Sequence, residues 1–197
     1  MKEHIHKFQW FYLTFLLAVF IGVGFYYFIH LGHYPIATVN GKWIAAKDFN
    51  NEYSVAFQYY AKTLAKQKQI DLRSADFQKE LRRAALNDLI DKSLINAELK
   101  QRTGSDFDSI LDNKIGEQKM DSKALADAAR LLYGMNVDDF KVLVLIPQAE
   151  KELLDGRLFL EQRKLDEWLA DAEKMAHVII LTPEFGWATN KVVLSTQ

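Results

Sequence analysis

The chain has 197 residues, with 25 Lys and Arg against 26 Asp and Glu, a formal net charge of −1 and no cysteine. Without cysteine there is no disulfide framework, iron–sulfur cluster, thiolate zinc site or cysteine nucleophile. The near-neutral balance argues against nucleic acid as a partner, because such binders carry a basic face or a high pI.

An apolar and aromatic run from Phe8 to Leu31 contains no Asp, Glu, Lys or Arg, and its notable polar groups are Gln9, Thr14 and His30. A helix over this run rises about 36 Å, enough to cross a hydrocarbon core of about 30 Å with some tilt. A secretory signal has a shorter apolar core and a small-residue cleavage site, whereas His30-Leu31-Gly32-His33-Tyr34-Pro35 is bulky. The run therefore reads as a retained transmembrane helix over 8–31, in contact with the lipid bilayer. Trp10, Tyr12, Tyr26 and Tyr27 lie toward its ends, where amphipathic rings sit at headgroup level. Lys2 and Lys7 precede the span, which predicts a cytoplasmic tail over 1–7, a linker over 32–35 and an extracytoplasmic domain over 36–197 on a cytoplasmic (inner) membrane. Setting aside Lys2, Lys7 and Glu3 leaves that domain 23 basic and 25 acidic residues.

The domain opens with Ile36 to Val39, Asn40-Gly41 and Lys42 to Ile44. Asn-Gly between two short apolar runs predicts a β-hairpin with a type I′ turn, which needs positive φ at both central residues. From Ala46 to about Gln69, Phe49, Tyr53, Phe57, Tyr60 and Leu64 recur every three or four residues, the period of an amphipathic helix with an aromatic face. Ser74 is a suitable N-cap for a second long helix carrying Phe77, Leu81, Leu86, Ile90, Leu94 and Ala97, with Gly104 at its C′ position.

Three shorter helices are expected next: Phe107 to Ile115 behind Ser105, Leu125 to Tyr133 behind Asp121, and Phe140 to Ile146 behind Asn136, with Gly116 and Gly134 ending the first two. Pro147 either starts a new helix or kinks one running from about Val137 to Met175. His177 to Thr182 reads as a buried strand closed by Pro183, and Lys191 to Leu194 as another. The fold class is mainly α, with the hairpin and these strands forming a small sheet that joins the two ends of the domain.

The ordered motifs resemble a known family. Val39-Asn40-Gly41-x-x-Ile44 followed by Asp48-Phe49 looks like the opening of the SurA N-terminal chaperone domain, shared by SurA, PpiD and PrsA-like proteins. The helix from Leu86 through Leu89-Ile90-Asp91, Leu94-Ile95 and Glu98-Leu99-Lys100 to Thr103-Gly104 is similar to the family's second signature. Tyr133-Gly134-Met135 through Asp139-Phe140 to Pro147-Gln148 is similar to a third, so the resemblance runs from about Ile36 to Met175. A membrane span just before the hairpin is the PpiD-like arrangement. Ala45-Ala46 stands where relatives often place a Thr or Ser cap. Catalytic relatives carry a parvulin-type prolyl isomerase domain of about a hundred residues, and residues 176–197 are too few to build one.

The other candidate groups have simpler readings. His4 and His6 beside Glu3 fall short of the three or four convergent ligands that a stable zinc site needs, so no metal is expected. Asp106 with Asp108 and Asp138 with Asp139 stand at helix starts, where the helix dipole accounts for them. No glycine-rich phosphate loop, Gly-x-Ser-x-Gly elbow or His-Glu-x-x-His occurs, and no cofactor or catalytic residue is assigned.

The aromatic helix face reads first as core. Its functional alternative is a cradle for unfolded chains lined by Phe49, Tyr53, Phe57, Tyr59 and Tyr60. Together with the resemblance, it implies a non-catalytic, membrane-anchored holdase for unfolded or nascent exported polypeptides. The competing expectation is an assembly protein with one dedicated envelope or translocon partner, and a third is an accessory to a prolyl isomerase.

Overall fold

The computed structural model describes residues 2–64, 71–117 and 122–195, with the side chains of residues 2–9, 11, 117 and 122 outside the description. The chain is mainly helical. Helix α1 (Lys2–His30) contains a segment, Tyr12–His30, long and apolar enough to cross a membrane. It ends in a Schellman motif: Gly32 N–H bonds Ile29 O at 3.0 Å and His33 N–H bonds Phe28 O at 3.1 Å, with Gly32 at φ +72°.

The hairpin of β1 (Pro35–Val39) and β2 (Lys42–Ala45) forms as the sequence predicts, with Asn40 and Gly41 at φ 50° and 81°. Helix α2 (Ala46–Thr63) follows immediately and takes no side-chain cap from Ala45. Its first two amides are satisfied by the linker instead. Ala46 N–H bonds Tyr34 O at 2.9 Å and Lys47 N–H bonds Gly32 O at 2.8 Å. The start of α2 is thus fastened to the cap of α1, which removes the need for a Ser or Thr at position 45.

Helix α3 (Ala75–Thr103) is capped by the Ser74 hydroxyl, which accepts from Phe77 N–H at 3.3 Å, and ends at Gly104, φ +58°. It forms the centre of the domain: Leu86, Ile90 and Leu99 are fully buried with Leu154 and Leu158. Helix α4 (Phe107–Glu117) grows directly out of a 3-10 turn at Gly104–Asp106. Ser105 spends its hydroxyl on Asp106 Oδ1 and caps nothing, and Gly116 lies inside α4 without positive φ, so both expected boundary signals fail there. Asp121 lies outside the described residues, as do residues 65–70 at the expected end of α2.

Helix α5 (Ser122–Ala128) runs into a π-turn at Ala129–Tyr133, closed by Gly134 in the left-handed region at φ +67°. Asn136 caps α6 (Val137–Phe140), accepting from Asp139 N–H at 2.8 Å. A second π-turn, Lys141–Leu145, then leads into α7 (Ile146–Leu160). Pro147 is carried past without a break, because Ile146 N–H bonds Lys141 O and the widened turn relieves the clash that a regular helix would impose.

The helix does not reach Met175. It stops at Leu160 in another Schellman motif, with Gln162 N–H on Phe159 O at 3.0 Å, Arg163 N–H on Leu158 O at 2.9 Å, and Gln162 at φ 57°. Helix α8 (Leu165–Met175) then returns along α7 and α3.

Strand β3 (Val178–Ile180) pairs antiparallel with β1, giving the order β2-β1-β3 and joining the two ends of the domain. It is half-exposed, because only one of its faces meets the core. Lys191 to Leu194 does not join this sheet. It is β5 (Lys191–Leu194), paired with β4 (Phe185–Ala188), which the sequence reading missed. This second hairpin turns through Thr189 and Asn190, both at positive φ. It is fastened to α3 by Val192 N–H on Asn87 Oδ1 at 3.2 Å and Arg83 Nη1 on Val192 O at 3.1 Å.

Candidate functional site

The aromatic face of α2 divides along its length. Phe49 is core, 4% exposed, because Phe185 of the second hairpin packs edge-on against it at 6.1 Å and the Arg82 guanidinium lies 4.9 Å from its ring centre. Tyr53 and Phe57, 6.0 Å apart, are half-buried. Tyr59 and Tyr60, at the far end of the helix, are each 39% exposed. The five candidate residues therefore do not form one surface. Phe49 is withdrawn from contact with any partner, while Tyr59 and Tyr60 remain available.

Tyr59 and Tyr60 belong to a longer ribbon of rings. Phe140 lies 5.1 Å from Tyr133, Tyr133 stacks on Tyr59 at 5.5 Å, Tyr59 meets Tyr60 edge-on at 6.0 Å, and Tyr60 meets Phe77 of α3 at 6.0 Å. Burial, and secondarily Tyr59, push the Tyr133 hydroxyl above its ordinary pKa. The left-handed Gly134 lets the chain turn directly after Tyr133, and the Gln58 side-chain amide covers the space where a Cβ would stand. Leu131, Leu132 and Val142, carried by the two π-turns, stand exposed. Sequence reading missed these residues as surface groups, because a π-turn rotates side chains off the 3.6-residue period. The available signal was the Tyr133-Gly134 to Phe140 motif.

Beside the ribbon, a cleft of about 280 Å³ lies between α2, α3 and the second π-turn. Lys92 bridges Glu52 and Asp88 there at 2.7 Å each. Burial opposes the lysine's charge, but the two carboxylates outweigh it and hold the pKa above the ordinary lysine value. An amine held protonated in this way is neither a nucleophile nor a base. Burial also raises the Glu52 carboxyl despite Lys92, and raises Glu150, which accepts from Asn96 at 2.7 Å. Among the described residues, no group of three or more His, Asp and Glu side chains is arranged to hold a metal ion.

What the site offers is apolar and aromatic surface with a polar rim, suited to non-covalent contact with apolar side chains. No characterised protein and no solved structure gives a match to the chain. A family model described as the SurA-like N-terminal domain matches residues 1–120, a stretch that takes in α1, the first hairpin, α2, α3 and α4. The Tyr133 to Gln148 motif lies beyond it. Because the match covers more than half of the sequence, the chain belongs to the family of SurA-like N-terminal domains.

Proposed function

We propose that this protein is a membrane-anchored, extracytoplasmic chaperone that holds unfolded or newly exported polypeptides without covalent chemistry of its own. The observation that carries the reading is the exposure of Tyr59 and Tyr60 at the end of the ring ribbon, and of Leu131, Leu132 and Val142 on the two π-turns, in a chain of the SurA-like family. Clients of a holdase share hydrophobicity and not sequence, so adaptable apolar surface is the feature their recognition needs. Anchoring by the Tyr12–His30 segment, with Lys2 and Lys7 on the cytoplasmic side, raises the local concentration where clients emerge, so weak contacts suffice.

The test uses the full chain in lipid vesicles, added in rising ratio to several chemically unfolded proteins while light scattering follows aggregation. Suppression near equimolar ratio with unrelated clients is the expected result. No suppression with any client sinks the reading and favours one dedicated envelope partner.

A further inference from the structure

The three-stranded sheet has an inner face that closes the core and an outer face that nothing among the described residues covers. Ala37, Ile44 and Ile180 share the inner row, and Thr38, Trp43 and Ile179 share the outer one. Trp43 is 66% exposed, and Ile179 and Leu181 are exposed beside it. Such large apolar side chains grouped on a small sheet call for an occupant.

The backbone indicates which one. The apolar helix ends at His30, and β1 begins at Pro35, with the intervening turn fixed at both ends by hydrogen bonds: His33 to Phe28 on the helix side, Lys47 to Gly32 and Ala46 to Tyr34 on the domain side. The domain is hydrogen-bonded directly to the turn that ends the helix. The sheet lies at this end. Ala45 of β2 pairs with Pro35, and Leu181 N–H bonds Ile36 O at 2.8 Å. Two residues of strand, about 7 Å, separate Trp43 from Ala45. Tyr34 and Leu181 line a common cleft beside the linker. Tryptophan and tyrosine partition to the headgroup layer, where one part of the ring system is apolar and another is wet. Lys47, whose amide bonds Gly32 O in the linker, stands at this end of the domain and suits a lipid phosphate, with Asp48 offsetting part of that charge.

We infer that the outer face of this sheet, through Trp43, Ile179 and Leu181, rests in the headgroup layer of the bilayer that the N-terminal helix enters. The occupant is a lipid surface, and the contact holds the domain down on the membrane beside its own anchor. This rests on the reading of Tyr12–His30 as a membrane span.

The absence of cysteine makes the test direct. Phe20→Cys in the span, Ile179→Cys and Leu181→Cys on the sheet, and Phe159→Cys at the exposed end of α7 are each spin-labelled in the full chain. The labelled chains are reconstituted into vesicles of zwitterionic and anionic phospholipid. Relative access of oxygen and a water-soluble nickel chelate gives the depth of each label. The expected order is position 20 deepest, 179 and 181 intermediate, and 159 in water, with Trp43→Ser moving 179 and 181 toward the value at 159. If 179 and 181 match 159 while 20 lies in the hydrocarbon, the sheet contact is overturned and the span stands. Labels at 179 and 181 that are immobilised yet closed to oxygen identify a protein neighbour, and overturn it as well. A label at 20 that is open to the nickel chelate overturns the span and the sheet contact together.

Discussion

Tyr59 of α2 stacks on Tyr133 of the first π-turn, with ring centres 5.5 Å apart and planes 26° from parallel. This contact fastens a segment more than 70 residues away in the chain onto the exposed end of α2. Aromatic pairs of this geometry contribute about 0.5–1.5 kcal/mol beyond area burial. A double-mutant cycle of Tyr59→Ala and Tyr133→Ala, read by denaturant unfolding, should give a coupling energy in that range. Additivity of the two losses would show that the rings do not support one another.

If the exposed apolar side chains of the two π-turns belong to the client surface, Leu131→Ser with Val142→Ser should weaken aggregation suppression. Both side chains are exposed, so each change should alter stability by no more than about 0.5 kcal/mol. Scattering assays and unfolding curves on the same preparation separate the two effects. Unchanged suppression removes these residues from the site.

Gly32→Ala should cost about 1–3 kcal/mol. Gly32 is at φ +72°, and a Cβ there would stand 3.1 Å from the Lys47 backbone nitrogen, which donates to the Gly32 carbonyl. The change forces the α1 cap away from the start of α2. Hydrogen exchange at the Lys47 amide should accelerate more than at amides in the middle of α3, whereas uniform acceleration would mean that the linker is not the point of failure.

The elements that local chemistry specifies were readable before the structure. Asn40-Gly41 meets a backbone requirement of its own turn, Ser74 and Asn136 cap the helices that follow them, and the steps Leu86, Ile90 and Leu94 repeat on one face of α3. Features requiring a distant partner were not readable. Phe49 and Tyr60 occupy the same helical stripe, and only the return of Phe185 decides that the first is core while the second stays exposed. Pro147 gives no sign of the π-turn that accommodates it, and Gln162, at a left-handed position that glycine usually fills, hides the end of α7. The outer face of the first sheet escaped notice because Trp43 and Ile179 are 136 residues apart in sequence and meet only through β1.

Leu154→Ala should destabilise the domain by about 2–5 kcal/mol, the range for emptying a well-packed site. Leu154 is fully buried with Leu86, Ile90 and Leu99 where α7 meets α3. The midpoint of chemical denaturation should fall with little change in slope. A loss below about 1 kcal/mol would mean that the α3–α7 seam collapses around the cavity.

The stability of the fold should depend on pH through Asp91. Its Oδ2 accepts from Asn87 at 3.1 Å, while Oδ1 is buried with no donor among the described residues. Burial, reinforced by the neighbouring Glu173 carboxyl, pushes the Asp91 pKa up to about 7, against the pull of Lys191. Glu173 is itself buried and accepts from Lys191 of the second hairpin. A proton on Asp91 therefore gives Oδ1 a hydrogen bond to Glu173 and completes the link between α3, α8 and β5. Because the folded pKa lies above the unfolded value, the folded state binds more protons in between, so this contribution is fully present near pH 4, declines as pH rises and is gone above about pH 7. Asp91→Asn supplies the same donor at every pH. The variant should match the parent near pH 4, exceed it increasingly up to about pH 7 and hold a constant advantage beyond, as read from Tm across that range. Parallel curves for the two proteins would show that Asp91 is ionised in the folded state throughout and that Oδ1 is satisfied in some other way.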